Sequence, residues 1–110
     1  MKRTLIAALV ASVAFAGQAY AAADAAKAQA YAKKNDCFKC HHPEKTKKGP
    51  SYKKIAAEIR EKNKTDAKLF EHLTKTKKVK LEDGTEEDHK ALDPSEKAEI
   101  DNLIQWVKTH

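Results

Sequence analysis

The chain has 110 residues, enough for one small domain, with 22 Lys and Arg against 16 Asp and Glu and a formal net charge of +6. Aromatic residues make up only 6% of it, so apolar burial alone gives a domain of this size little stability. No arginine-rich or aromatic-interleaved array accompanies the positive charge, which excludes a nucleic-acid partner on composition.

Residues 1–22 have the build of a secretory signal peptide. Lys2 and Arg3 form a charged start, Thr4 to Gly17 is apolar, and Ala19-Tyr20-Ala21 is a small-residue cleavage site. The apolar run is short of the ~20 residues a membrane span needs, so a cleaved signal is expected and a stable membrane anchor is not. The mature domain, 23–110, then keeps 20 basic side chains against 16 acidic ones. The charge is segregated: Asp24 to Lys80 holds 17 Lys or Arg and 7 Asp or Glu, whereas Leu81 to His110 holds 3 and 9. Such a dipolar surface can steer association with an acidic partner patch, although a merely solvated surface would have the same composition.

Asp24 to Lys34 predicts an Ala-rich helix ending in two lysines. Ala25, Ala28 and Ala32 would admit a second helix at close range, and Tyr31 is its one large residue to bury. Asn35-Asp36 breaks that helix immediately before Cys37-Phe38-Lys39-Cys40-His41. This C-x-x-C-H run is a covalent haem-attachment pattern. Two thiols three positions apart can each add to one vinyl group of the same porphyrin, and the following histidine can ligate its iron. Two haem-free readings compete. A thioredoxin-like dithiol needs a strand leading into a helix, and no strand pattern lies upstream. A zinc site using Cys37, Cys40 and His41 or His42 has no second cysteine pair.

A lysine-rich loop follows to Lys48. Gly49-Pro50 then predicts a helix start with Pro50 in its first turn, patterned by Ile55, Ala56 and Ile59 and ended by Asn63-Lys64. Thr65 or Asp66 can cap a third helix from Ala67 to about Lys75, with Leu69, Phe70 and Leu73 apolar. Lys77 to Asp88 is polar and reads as a loop with a short hairpin, because Val79 and Leu81 alternate and Asp83-Gly84 is a turn signal. Asp93-Pro94-Ser95-Glu96 predicts the last helix start, with Asp93 as N-cap and Pro94 at the first position. That helix runs to about Lys108, and Ile100, Leu103, Ile104 and Val107 form one stripe.

With these residues in order, the sequence resembles the class I c-type cytochromes, small all-helical carriers of a single haem. The resemblance rests on the Cys37–His41 motif after an N-terminal helix, on Gly49-Pro50-Ser51-Tyr52, and on the closing helix with Ile104-Gln105-Trp106-Val107. It implies an all-α fold of three to four helices around one covalent haem c, with the first and last helices crossing. Cys37 and Cys40 would form the thioethers, and His41 would bind the iron on the proximal side. The Pro50 carbonyl would accept the His41 Nδ1 proton, with Pro50 and Tyr52 in the haem pocket. The implied role is periplasmic electron transfer with no enzyme activity. A dehydrogenase, reductase or oxidase would dock at the haem edge among Lys39, Lys45, Lys47, Lys48, Lys53 and Lys54.

One departure stands out. The family completes the iron with a methionine before the last helix, and the single methionine here is Met1, inside the signal. His89, 48 residues after His41 and just before the last helix, stands where that methionine is expected. The expected ligand pair is therefore His41 and His89. His72, Lys90 and water are the other candidates for the sixth position; His42 cannot reach the opposite haem face, and His110 is expected to be solvated. Thioether ligation raises a haem potential, whereas imidazole favours ferric iron, so bis-histidine ligation predicts a low potential. The alternative function is a gas-binding or sensor haem protein with a labile or absent sixth ligand.

Overall fold

A computed structural model describes residues 23–110; the signal segment read from 1–22 lies outside them. The element order is α1 (Ala25–Lys34), a 3-10 turn (Cys37–Lys39), α2 (Tyr52–Glu61), α3 (Asp66–Thr74), β1 (Lys77–Lys80), β2 (Glu86–His89) and α4 (Lys97–Lys108). Asp24 caps α1 by accepting the Lys27 amide at 3.0 Å, and Lys33 and Lys34 lie against the negative end of the helix dipole. Ala28 and Ala32 are fully buried, so the backbone of α1 lies close against α4. The crossing is fastened at its end by Asn102, which accepts the Asp24 amide at 2.9 Å and donates to the Asp24 carbonyl at 3.0 Å. Ile100, Leu103, Ile104 and Trp106 of α4 join Tyr31 and Tyr52 in one core. Helices α2 and α3 also pack on α4, so the last helix is the common wall. None of the described helices is long and apolar enough to cross a membrane.

Two predicted helix starts move. Pro50 stands outside α2, and Ser51 is the N-cap, its Oγ accepting the Lys54 amide at 3.1 Å. A proline carbonyl inside the helix would be spent on the helical ladder, whereas outside it can point elsewhere. At the last helix, Asp93 caps a turn and not the helix: its carboxylate accepts the Ser95 amide at 2.9 Å, and its carbonyl accepts the Glu96 amide at 3.0 Å. Helix α4 therefore begins at Lys97. Thr65 caps α3 as expected, accepting from the Lys68 amide at 3.2 Å.

The segment between α3 and α4 is an antiparallel hairpin pairing Lys77 with His89, Lys78 with Asp88, Val79 with Glu87 and Lys80 with Glu86. Lys78 and Lys80 are opposed to Asp88 and Glu86 across the strands, a favourable arrangement. Gly84 takes φ +86° in the turn, a conformation that disfavours any side chain. Leu92, after the hairpin, is buried, and its amide donates to the Leu73 carbonyl at 2.7 Å. No hydrophobic period marks that leucine in the sequence.

Candidate haem site

The cysteine motif folds as a tight turn. Asp36 adopts the left-handed region at φ 61°, turning the chain out of α1. The Cys37 carbonyl then accepts the amides of Cys40 at 3.3 Å and His41 at 2.9 Å. This winding sets both cysteines, unpaired and half-buried, on one short turn with His41 directly after it. Burial pushes the Cys37 thiol above its ordinary range, while the nearby Lys90 ammonium pulls it back.

His41 is held from two sides. Its Nδ1 lies 2.6 Å from the Pro50 carbonyl. A carbonyl can only accept, so Nδ1 carries the proton and Nε2 presents its lone pair. Gly49 is buried against the same ring: a Cβ there would meet Cε1 at 2.9 Å and Nδ1 at 3.3 Å. The loop between is braced by His42, whose Nδ1 accepts the Glu44 and Lys45 amides at 3.1 and 3.0 Å. The backbone of His42 and Pro43 accepts the Tyr52 and Lys53 amides at 3.0 Å each, seating α2 on the loop.

Across from this ring stands His89, at the end of β2. The two imidazole centroids are 6.4 Å apart. Two imidazoles bound to one metal through bonds of about 2 Å have centroids separated by about 6 Å. His89 repeats the tautomer logic of His41, since its Nδ1 lies 3.0 Å from the Lys90 carbonyl. Burial holds its imidazolium form down. His72, on α3, packs its ring on that of His89 at 4.7 Å between centroids. His110 is half-buried against Trp106, 4.7 Å between centroids, and not solvated as expected. Lys90 is exposed. Among the described residues no three His, Cys, Asp or Glu side chains converge as a metal cage.

Tyr52 lies 5.5 Å from His41, 6.0 Å from Phe38 and 5.2 Å from Trp106, centroid to centroid. Its hydroxyl is buried with no partner among the described residues, and burial raises its pKa. Buried hydroxyls ordinarily have a partner; the Tyr31 hydroxyl lacks one too, and Tyr52 is the one of the two that stacks beside His41. Phe38, Ile55, Leu69, Phe70 and Leu73 line the core only half-buried. A porphyrin suits such a wall: two thiols for its vinyl groups, the His41 imidazole for its iron, and apolar side chains for its faces. Sequence reasoning could not find Gly49 as a steric partner of His41 or His72 as a neighbour of His89, because both contacts join separate segments.

The comparisons with known proteins agree with this fit. The family model described as Cytochrome c matches residues 25–110. The crystal structure of the class 1 cytochrome MtoD from Sideroxydans lithotrophicus ES-1 is similar, with a TM-score of 0.74 and 43% identity over 80% of this chain and 97% of that one. No curated protein matches. The family match spans nearly all of the described residues, and the chain belongs to the cytochrome c family, as a class I c-type cytochrome with a covalently bound haem c and a role in electron transfer.

Proposed function

We propose that this chain is an exported, low-potential electron carrier whose haem is attached at Cys37 and Cys40 and ligated by His41 and His89. The observation that supports it most is the opposed histidine pair. The rings are 6.4 Å apart, each with Nδ1 turned to a backbone carbonyl and Nε2 left to bind metal. When bound, the haem supplies one-electron exchange between ferrous and ferric iron. The protein orients the ligands. The Pro50 bond fixes the His41 ring and raises its basicity, and the Lys90 carbonyl does the same for His89. Two basic imidazoles favour the ferric state, which lowers the potential relative to a methionine-ligated relative.

Residues 1–22 act as the cleaved signal and 23–110 as the cytochrome domain, which places the protein in the periplasm. The partner is an electron-transfer protein with an acidic docking patch, a dehydrogenase, reductase or oxidase. Lys39, Lys45, Lys47, Lys48, Lys53 and Lys54 are all exposed around the cysteine loop and the start of α2, where they steer such a partner.

Optical and EPR spectra of the exported protein, His89→Ala and His89→Met test the ligand set. The wild type is expected to be low-spin in both oxidation states, without the far-red ferric band of methionine ligation. His89→Ala becomes high-spin, and His89→Met gains that band and a higher potential. A His89→Ala spectrum identical to the wild type refutes the assignment. Rapid carbon monoxide binding by the wild type would favour a gas-binding protein.

A further inference from the structure

We propose that His72 is a positioning residue for the distal ligand: its ring packs on that of His89 and holds that imidazole in its orientation. This rests on the bis-histidine reading above. His89 ends a two-stranded ribbon whose strand residues are exposed except for Val79 and His89 itself. An isolated ribbon of this size is marginally stable, and a metal ligand must be held to about 0.5 Å. The bond from His89 Nδ1 to the Lys90 carbonyl joins consecutive residues. It sets the ring relative to its own backbone and travels with the strand.

The rest of the chain holds this segment at both ends and meets it at His89. At the turn end, the Glu82 amide donates to the Lys48 carbonyl at 3.1 Å. Past the strand, the Leu92 amide donates to the Leu73 carbonyl at 2.7 Å. At His89 itself, the ring of His72 lies 4.7 Å away, tilted 46°, and that of His41 lies 6.4 Å away. His72 is on the firm side of the contact. It projects from the last turn of α3, next to Leu73, which packs on the core. The other end of α3 is anchored to α4 by Asp66, which accepts from Lys108 and Gln105 at 2.9 Å each. His72 acts through ring contact, so an aromatic ring without nitrogens can stand in for it.

The test uses the exported holoprotein and follows carbon monoxide uptake by the ferrous form, with the ferric spectrum as a second readout. His72→Ala is expected to stay low-spin yet bind carbon monoxide at least tenfold faster than the wild type, while His72→Phe restores the slow rate. In a His89→Ala background, His72→Ala should change nothing further, because its effect runs through His89. A wild-type rate in His72→Ala, no rescue by His72→Phe, or a rate that multiplies in the double variant overturns the proposal. Failure of the bis-histidine reading itself shows separately, as an unchanged low-spin spectrum in His89→Ala.

Discussion

Gly49→Ala tests how tightly the proximal histidine is built. The added Cβ would sit 2.9 Å from His41 Cε1, 3.3 Å from Nδ1 and 3.4 Å from the Cys40 carbonyl. Separations under 3 Å do not persist, so something must move. The ring cannot swing aside freely, because its Nδ1 is bonded to the Pro50 carbonyl at 2.6 Å. The loop cannot lift freely either, because the Gly49 amide is bonded to the Cys40 carbonyl at 2.9 Å. Overpacking of this kind costs about 1–3 kcal/mol, and a stretched hydrogen bond adds about 1 kcal/mol. Gly49 does not have a positive φ, so alanine also restricts the unfolded chain and returns about 0.4–1 kcal/mol. The net expectation is a loss of about 2 kcal/mol, or a fall in melting temperature of roughly 8–16 °C for a domain of this size. Thermal unfolding followed by far-UV circular dichroism measures the loss, and the ferric spectrum and midpoint potential report the weakened Nδ1 bond. A Gly49→Ala protein as stable as the wild type, with the same potential, would show that the loop yields easily and that the His41 ring is not held by this contact.

Gly84→Ala is the counterpart. Nothing lies within 4 Å of its Cβ position, but its φ of +86° strains any side chain, so a loss of about 1–2 kcal/mol is expected with little change in potential, read by the same two measurements. Ser51→Ala removes the α2 cap and should cost about 1 kcal/mol in urea unfolding. Asp66 supplies the pH dependence. The hydrogen bond from Lys108, helped by Gln105 and opposed by partial burial, holds its carboxyl below the ordinary 3.8. A lowered folded pKa means stability that is fully present above 3.8 and lost as pH falls through the folded value. Asp66→Asn should therefore weaken the protein at neutral pH and converge with the wild type in acid. The neutral-pH difference stays under about 1 kcal/mol, because the pair is exposed and screened; urea titrations across that range would reveal a gap that fails to close.

The parts of the molecule that were legible in the sequence are those in which cause and consequence are neighbours. Thr65, Asn63 and Gly84 act on backbone within a few residues, and each sits where its chemistry places it: one cap, one left-handed helix end, one hairpin turn. The buried Ala28 and Ala32 likewise follow from small side chains at helical spacing. The two misplaced helix starts fail for different reasons. Asp93-Pro94 and Gly49-Pro50 both satisfy the local rule for a helix beginning, and in both the backbone or side chain serves a different bond. Pro50 turns its carbonyl to His41, nine residues upstream, and Asp93 closes a turn on Ser95 and Glu96. At Asp93 one local option wins over another; at Pro50 the deciding partner lies in another segment, which local rules do not include.

That distinction divides the two faces of the haem site. The His41 side is encoded within Asp36 to Tyr52, where the cysteines, the histidine, the loop brace at His42, the glycine and the proline carbonyl are all close in sequence. A chain that keeps this stretch keeps that face. The His89 side is assembled from α3, the hairpin and the approach to α4, and only the histidine itself is visible as a motif. Its supports are a carbonyl one residue on, a ring seventeen positions upstream and a backbone bond to Leu73. If His89 is the sixth ligand, as proposed, a methionine-to-histidine exchange at the iron is not a change of one residue alone. The imidazole is shorter and stiffer than a methionine side chain, so the backbone behind it must come closer and be held there. In the proposed ligand set, the short paired strand ending at His89, packed on the ring of His72, would do that.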